Sequence, residues 1–323
     1  MESMVKKSVL VTGGAGFIGG HVVESLLKKN YKVIVADIQK PGKTYFFLRQ
    51  LEKKVDYRCT DITSQKSVLS LISDVHPDYV FHLAALPTVG EAYDNPRKAF
   101  QVNIMGTVNI LEACRRRTNV KGIIVASSDK AYGKTKKTYT EDSPLKGDHP
   151  YDVSKSCEDL IAQTYHKTYG LPIVVTRFGN VYGEGDIHFD RIVPGICKAV
   201  ATGETLSVRS DGTYIRDYIY VRDVAEGYLF LLEHIQSLAG EAFNFSSSDT
   251  YSVLELIEIA EKSLGVTIPY KVLNTAKNEI PYQHLDDAKV RARGWKNQST
   301  INSALKETYH WYKQTIPLLF EKA

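Results

Sequence analysis

The sequence predicts an α/β protein, a doubly wound parallel sheet carrying a smaller mixed α/β domain. Three observations predict it. Up to residue 178, short runs rich in Val and Ile alternate with amphipathic stretches. The runs show little polar alternation, as strands covered on both faces do. After residue 178 the regular alternation gives way to a mixed pattern of helical stretches, short strands and a Gly-rich loop.

In chain order, SVLVT (8–12) is the first strand, and HVVESLLKK follows with Val22, Val23, Leu26 and Leu27 on one helical stripe. KVIVA (32–36) is a strand ending at Asp37, and YVFHLAA (79–85) is another. NIMGTVNILEACRRR reads as a helix closed by Arg115, Arg116 and Arg117, cations suited to a helix C-terminus. GIIVASS (122–128) is the next strand. YDVSKSCEDLIAQTYHKTYG is a helix ending at Gly170, ahead of Pro172 and the strand PIVVTRF (172–178). Beyond it, VYGEGDIHFD is a loop, while RIVPGICKAVAT, RDVAEGYLFLLEHI and SVLELIEIAEKSLG are helices and EAFNFSSS is a short strand. Strand and helix in alternation assemble into a parallel sheet. The expected division is a large domain over residues 1–178, with segments near 210–245 returning to it, and a smaller one over 179–323.

Composition excludes several classes. The 323 residues are 43% hydrophobic and 24% charged, ordinary for a globular enzyme. A net charge of +4 suits an anionic small ligand and is too dispersed for nucleic acid. The 20 tyrosines are scattered rather than spaced as a stacking platform. Cysteines 59, 114, 157 and 197 form no CxxC pair, so neither a metal cluster nor a disulfide framework is expected. The apolar run near the N-terminus is broken by glycines too early for a signal segment, and no stretch suits a membrane span. A cytoplasmic protein in a reducing compartment is the expectation.

In VLVTGGAGFIGGHVVESLL, Gly13, Gly16 and Gly19 follow a strand and open a helix. That context turns a glycine triplet into a dinucleotide signal, because the turn brings backbone N–H groups and a helix N-terminus to a pyrophosphate. Asp37 closes the next strand, where a carboxylate accepts both ribose hydroxyls and repels a 2′-phosphate. NAD is therefore expected over NADP, with Lys40 and Lys43 nearby as the opposing signal.

Tyr151 and Lys155 lie four apart, on one face of a helix. Ser128 ends the preceding strand, at the sheet edge where ligands bind. A free phenol titrates at about 10. An ammonium and a positive nicotinamide ring beside it would both lower that value. Tyr151 could then take a proton from a sugar hydroxyl while hydride leaves the same carbon, with Ser128 bonded to that oxygen. Lys155 also suits the nicotinamide ribose.

The motifs TGGAGFIGG, Asp37, DIT (61–63), HLAA (82–85), SSDKAYG, YDVSK, RFGNVYG (177–183) and RDYIYVRDV (216–224) resemble the extended short-chain dehydrogenase/reductases. Within them the likeness is to the nucleotide-sugar epimerases and dehydratases, on a Rossmann-type sheet. The resemblance implies tightly held NAD, a nucleoside-diphosphate hexose substrate, and a homodimer packed through helices at 93–116 and 151–169. It implies that Phe17 and Ile18 join the glycines at the cofactor, and that Asp61 and Ile62 flank the adenine. Leu83, Ala84 and Ala85 would line the nicotinamide half. Asn180, Arg191, Arg216 and Asp286 would contact the substrate, Arg216 competing with a plain ion pair to Asp217 or Asp223.

Asp129 and Lys130 separate the reactions within that group. A 4-epimerase needs only the Ser, Tyr and Lys. A 4,6-dehydratase also needs a base for the C5 proton and an acid for the departing C6 hydroxyl. The dehydratases of deoxythymidine-diphosphate glucose carry Thr-Asp-Glu at this place. SSDKAYG keeps the Asp and puts Lys where Glu stands, which resembles the CDP-glucose 4,6-dehydratases. The GKTKKTYTEDSP loop that follows is shorter than in that group. A dehydratase is the first expectation, a 4-epimerase the second and a decarboxylating variant the third; a non-catalytic NAD-binding regulator would need no intact Ser128, Tyr151 and Lys155. A lysine base must be neutral when it acts; Lys130 could instead orient the substrate or stabilise an enolate. Glu91 is an alternative base, His188 an alternative phosphate contact, and His82 reads as a packed histidine.

Overall fold

The structure is a computed structural model that describes residues 6–116, 120–247, 250–275 and 280–320. Arg117 and Ser248, the last residues of two expected elements, lie outside them. Six strands come first: β1 (Ser8–Thr12), β2 (Lys32–Asp37), β3 (Asp56–Cys59), β4 (Tyr79–His82), β5 (Gly122–Ala126) and β6 (Ile173–Phe178). The chain then forms β7 (Asn180–Tyr182), β8 (Leu206–Val208) and β9 (Ile215–Tyr220) in the smaller half and returns as β10 (Ala242–Phe245). The large sheet runs β3-β2-β1-β4-β5-β6-β10 with every pair parallel. This is the expected doubly wound sheet, with its order reversing beside β1, where a ligand crevice opens.

The alternation within β1 shows why the sheet holds. Val9 and Val11 enter one core with Val22, Val23 and Leu26 of the Phe17–Lys28 helix and Val224, Tyr228 and Leu231 of the Val221–Glu233 helix. Leu10 enters the opposite core with Leu71, Ile110, Cys114 and Ala162, from three further helices. Burial of both faces is what the unbroken apolar runs encode.

Two strands are shorter than their apolar runs. β4 stops at His82 and β5 at Ala126, because the chain turns outward at the carboxyl edge; Leu83 N–H still reaches the Thr12 carbonyl at 3.1 Å, and Ser127 N–H the Thr176 carbonyl at 2.8 Å. The strand β3 has no apolar run, since an edge strand is half-exposed and needs none. The expected 93–116 helix is broken at Asn95, because Pro96 disfavours helical geometry in the residue before it. It continues through a π-helical turn, Phe100–Met105, into Gly106–Arg115.

The smaller half adds two little sheets. The strand β11 (Thr250–Ser252) pairs antiparallel with β9, and β9 pairs parallel with β7. The strand β12 (Tyr270–Val272) pairs with β8. Helices Ile192–Thr202, Val253–Leu264 and Ile301–Phe320 close a second core around Leu206, Tyr218, Leu256 and Leu305. No helix among the described residues is long and apolar enough to cross a membrane.

Candidate active site

A cleft of about 940 Å³ lies between the carboxyl edge of the large sheet and the smaller half. Its floor is the turn between β1 and the Phe17–Lys28 helix. Gly13 has φ +71°, and a Cβ there would meet Ala84 N at 2.6 Å. A Cβ on Gly19 would meet the Gly13 carbonyl oxygen at 2.1 Å. Only glycine permits this approach, and no side chain caps the helix at Gly16. Asp37 is buried beside the turn, its Oδ2 accepting from Ala15 N–H and its Oδ1 from Gln39 N–H, both at 3.0 Å. Burial pushes its carboxyl up.

Phe17, Ile18, Asp61, Ile62, Leu83, Ala84 and Ala85 also line the cleft. Asp61 has one oxygen occupied by the Thr63 N–H and hydroxyl, both at 2.8 Å. Ile38, 63% exposed and facing the cleft beside Asp37, is a contact that sequence reasoning missed; its signal was an apolar side chain directly after the strand-end acid. Close glycines, a helix N-terminus and a strand-end carboxylate together fit a dinucleotide. The opposing signal fades, because neither Lys40 nor Lys43 lines the cleft and Lys43 Nζ reaches the Leu319 carbonyl at 3.0 Å.

Tyr151 and Lys155 face the cleft from the Pro150–Tyr169 helix, which starts at His149 and ends at Gly170 with φ +71°. Both are buried. Lys155 Nζ donates to the Ala126 carbonyl at 2.8 Å and to Glu158 Oε2 at 2.7 Å. Burial is the largest single influence and disfavours the ammonium, but Glu158, Tyr151 and Asp159 together outweigh it and the net direction is up. Glu158, a buried partner of Lys155 that the sequence reading missed, has the spacing of a helical neighbour, three residues on. The Lys155 charge favours the Tyr151 phenolate, as expected, and Arg191 adds to it, but burial outweighs both and the phenol is pushed up.

Ser128, Asp129 and Lys130 follow β5 at the cleft wall. The turn Asp129–Tyr132 is pinned from behind. The Ala131 carbonyl accepts from Ser156 Oγ at 2.7 Å, and the Tyr132 hydroxyl joins Arg177 and Asn244. Arg177 itself is clamped by Asp159 at 2.7 and 3.0 Å. Asp129 is 3% exposed. Its Oδ1 accepts from Ser128 Oγ at 3.0 Å and its Oδ2 from Gln283 Nε2 at 2.8 Å. Lys130 Nζ donates to Gln283 Oε1 at 3.1 Å. Burial raises the Asp129 carboxyl, with Asp217 adding and Lys130 and Arg216 opposing. Asp152, beside Tyr151, lines the same wall and is pushed by burial to about 6. A buried acid with its carboxyl raised and a lysine thus stand side by side at the cleft wall, joined through Gln283.

Asn180, Arg191 and Arg216 line the far side of the cleft. Asn180 Nδ2 is buried with no hydrogen-bond partner among the described residues, a donor left unsatisfied at the cleft. Arg191 Nη1 is paired with Asp186 Oδ2 at 3.0 Å. Of the acids weighed against Arg216, Asp217 accepts from His284, Thr250 and Leu285 N–H, and Asp223 from Gln298 and Ser299 N–H.

Asp286 does not reach the cleft, which corrects that expectation. Its Oδ1 accepts from Ala288 N–H at 2.8 Å, and the residues of this segment that line the cleft are Ile280 and Gln283. Glu91 is outside the cleft as well, paired with Lys98 at 2.8 Å. His188 lines it. His82 is fully buried between Thr12 Oγ1 and Thr107 Oγ1, at 2.8 and 3.0 Å, and burial lowers its pKa to about 3.

This fold and cleft define a dinucleotide-dependent enzyme whose cleft runs on from the glycine turn to the smaller half. Residues 9–246 match the NAD dependent epimerase/dehydratase family, and the chain belongs to it. A UDP-glucose 4-epimerase of Neisseria meningitidis serogroup A is 32% identical, over 94% of this chain and 97% of its own length. A trifunctional UDP-glucose 4,6-dehydratase, 3,5-epimerase and reductase of Arabidopsis thaliana is 28% identical over 97% of this chain. The chain spans about half of that relative, 48%. Two solved structures superpose with a TM-score of 0.87. A UDP-glucuronic acid 4-epimerase from Bacillus cereus, bound to UDP-glucuronic acid and NAD, is 28% identical and covers 95% of this chain and 99% of its own. A dTDP-glucose 4,6-dehydratase from Streptomyces venezuelae, with NAD bound, is 27% identical with 97% and 99% covered.

Proposed function

We propose that the protein is a nucleotide-sugar 4,6-dehydratase acting on an NDP-hexose of the CDP-glucose kind. One observation carries the reading: Asp129 is buried at the cleft wall, its carboxyl raised by burial, with Lys130 beside it. A 4-epimerase has no use for either group. On this reading residues 1–178 hold NAD and residues 179–323 the sugar nucleotide. Gly13, Gly16, Gly19 and Asp37 hold the pyrophosphate and ribose, Ser128 binds the sugar C4 oxygen, and Asn180, Arg191 and Arg216 hold the substrate diphosphate and nucleotide.

NAD, when bound, accepts hydride from C4 and returns it to C6. The residues manage protons. Tyr151, as phenolate, takes the C4 hydroxyl proton, and the positive charge of Lys155 favours that anion. The resulting ketone acidifies C5. Lys130 takes the C5 proton while the C5–H electron pair forms the C5–C6 double bond. The C6–O bond breaks towards oxygen, which leaves as water with the proton of Asp129. Lys130 then returns a proton to C5. Tyr151 ends with one proton more and Asp129 with one fewer, so a proton passing from the one to the other through solvent resets the site.

The test is incubation with CDP-, UDP-, GDP- and dTDP-hexoses in deuterated water. A product lighter by one water and labelled at C5 supports dehydration; an unlabelled isomer of unchanged mass overturns it. Tyr151→Phe should abolish both. A second reading, 4-epimerisation, draws on the UDP-glucose 4-epimerases matched over nearly their full length. We also propose a homodimer through the helices at 96–115 and 150–169, on which Met105 and Leu160 are each 50% exposed. Sedimentation at monomer mass would refute it.

A further inference from the structure

We propose that Gln283 is a positioning residue that makes Asp129 and Lys130 act as one unit. The inference rests on the dehydratase reading. Gln283 is 1% exposed, on a segment 153 residues from Lys130. Its side chain bridges the two groups, Nε2–H donating to Asp129 Oδ2 at 2.8 Å and Oε1 accepting from Lys130 Nζ at 3.1 Å. The backbone holds it there. Gln283 N–H donates to the Ile215 carbonyl at 3.1 Å, tying the bridge to the start of β9.

The chemistry of an amide makes this bridge specific. A glutamine offers a donor and an acceptor on one planar fork without a charge of its own. In the orientation seen, the N–H faces a carboxylate oxygen and the carbonyl faces an N–H of the amine. That arrangement matches Asp129 as anion and Lys130 as ammonium, the state left once water has departed. Turned by half a rotation about its last bond, the amide carbonyl accepts from a protonated Asp129, and its N–H donates to the lone pair of a free Lys130 amine. That is the state elimination needs at its start. A single uncharged side chain thus satisfies both protonation states, and in each it aims the two reacting groups.

The charged and titratable surroundings come from several elements. Asp152 and Tyr151 face the pair from the Pro150–Tyr169 helix, Arg216 and Asp217 from β9, His284 from Gln283's own segment, and Tyr139 from the loop beyond Gly133. Asp152 feels Lys130 most among the charges near it. These groups change the field at the pair, whereas hydrogen bonds from Gln283 reach both members.

Two variants test the proposal, read against the wild-type enzyme in deuterated water. Gln283→Met keeps the length and removes both hydrogen bonds. Elimination and C5 labelling should fall about 100-fold, within the range of general acid–base effects. C4 oxidation, followed by nicotinamide absorbance in a single turnover, should fall less than about threefold, and KM should hold. The alkaline limb of the elimination rate, where Asp129 loses its proton, should move up, because the carboxylate loses a donor. Gln283→Glu can mimic the amide only when protonated, so its elimination rate should recover as pH falls, which Gln283→Met cannot reproduce. Equal losses in C4 oxidation and elimination would make Gln283 mere scaffold and overturn the proposal, as would wild-type elimination in Gln283→Met or no acid recovery in Gln283→Glu. A wild-type enzyme that yields only an unlabelled isomer sinks the dehydratase reading, and this proposal with it; a dehydrating wild type with an unaffected variant sinks the proposal alone.

Discussion

Lowering the pH should unfold this protein in part through one imidazole. His82 is fully buried, bonded to the hydroxyls of Thr12 and Thr107 and held neutral, with its pKa lowered by burial and by the Lys155 charge to about 3. In the unfolded chain it returns to its ordinary 6.5. Below that value the unfolded chain binds a proton that the fold refuses, so the stability His82 contributes is complete above pH 6.5 and is lost as pH falls towards 3. Each pH step in that window costs about 1.4 kcal/mol. Going from pH 7 to 4.5 therefore removes about 3 kcal/mol, a large share of a total that is commonly about 5–15. His21, lowered to about 4 by burial, acts in the same direction. Asp152 acts in the opposite one, since its raised carboxyl contributes stability at low pH that is lost as pH rises through about 6. The slope for the whole protein mixes these, so a variant isolates the effect. His82→Gln offers one donor and one acceptor in place of the ring nitrogens and does not titrate. Urea unfolding of both proteins at pH 7 and 4.5, at fixed ionic strength, gives two stability differences. The parent's advantage should shrink by about 3 kcal/mol on going to pH 4.5. An advantage that is the same at both pH values would refute the buried neutral imidazole.

Three further outcomes are expected. Gly19→Ala places a methyl 2.1 Å from the Gly13 oxygen, so the turn must shift; NAD affinity should fall tenfold or more, about 1.4 kcal/mol, by fluorescence titration. Asp129→Asn should retain C4 oxidation and lose water elimination by about 10²–10⁴-fold, read as nicotinamide reduction without dehydrated product. Asn180→Ala removes a donor that no described residue satisfies, and should raise KM about tenfold with kcat little changed.

Much of the cofactor end was legible because its chemistry is local. Gly13, Gly16 and Gly19 lie within one turn, and Asp37 closes the neighbouring strand, so spacing carried the reading. Tyr151 and Lys155 share one helix face for the same reason. Gln283 was not legible, because it meets Asp129 across 154 residues through a bridge that no periodicity announces. Asp286 was chosen from the right segment and misplaced, since only the backbone's path decides which side chain there enters the cleft. At Tyr151 the sequence named the neighbouring charge but not the depth of burial that outweighs it.

The sequence by itself determined the parallel sheet, its glycine turn and the residues that can exchange protons. Apolar runs, capping residues and helical spacing are properties of short stretches, and short stretches form them with little choice. Tertiary structure decided which of those groups share a wall and in which state they rest. Distance and desolvation arise only when β9 and the Gln283 segment close over the turn after β5, and those two quantities set whether a carboxyl is an acid or an anion.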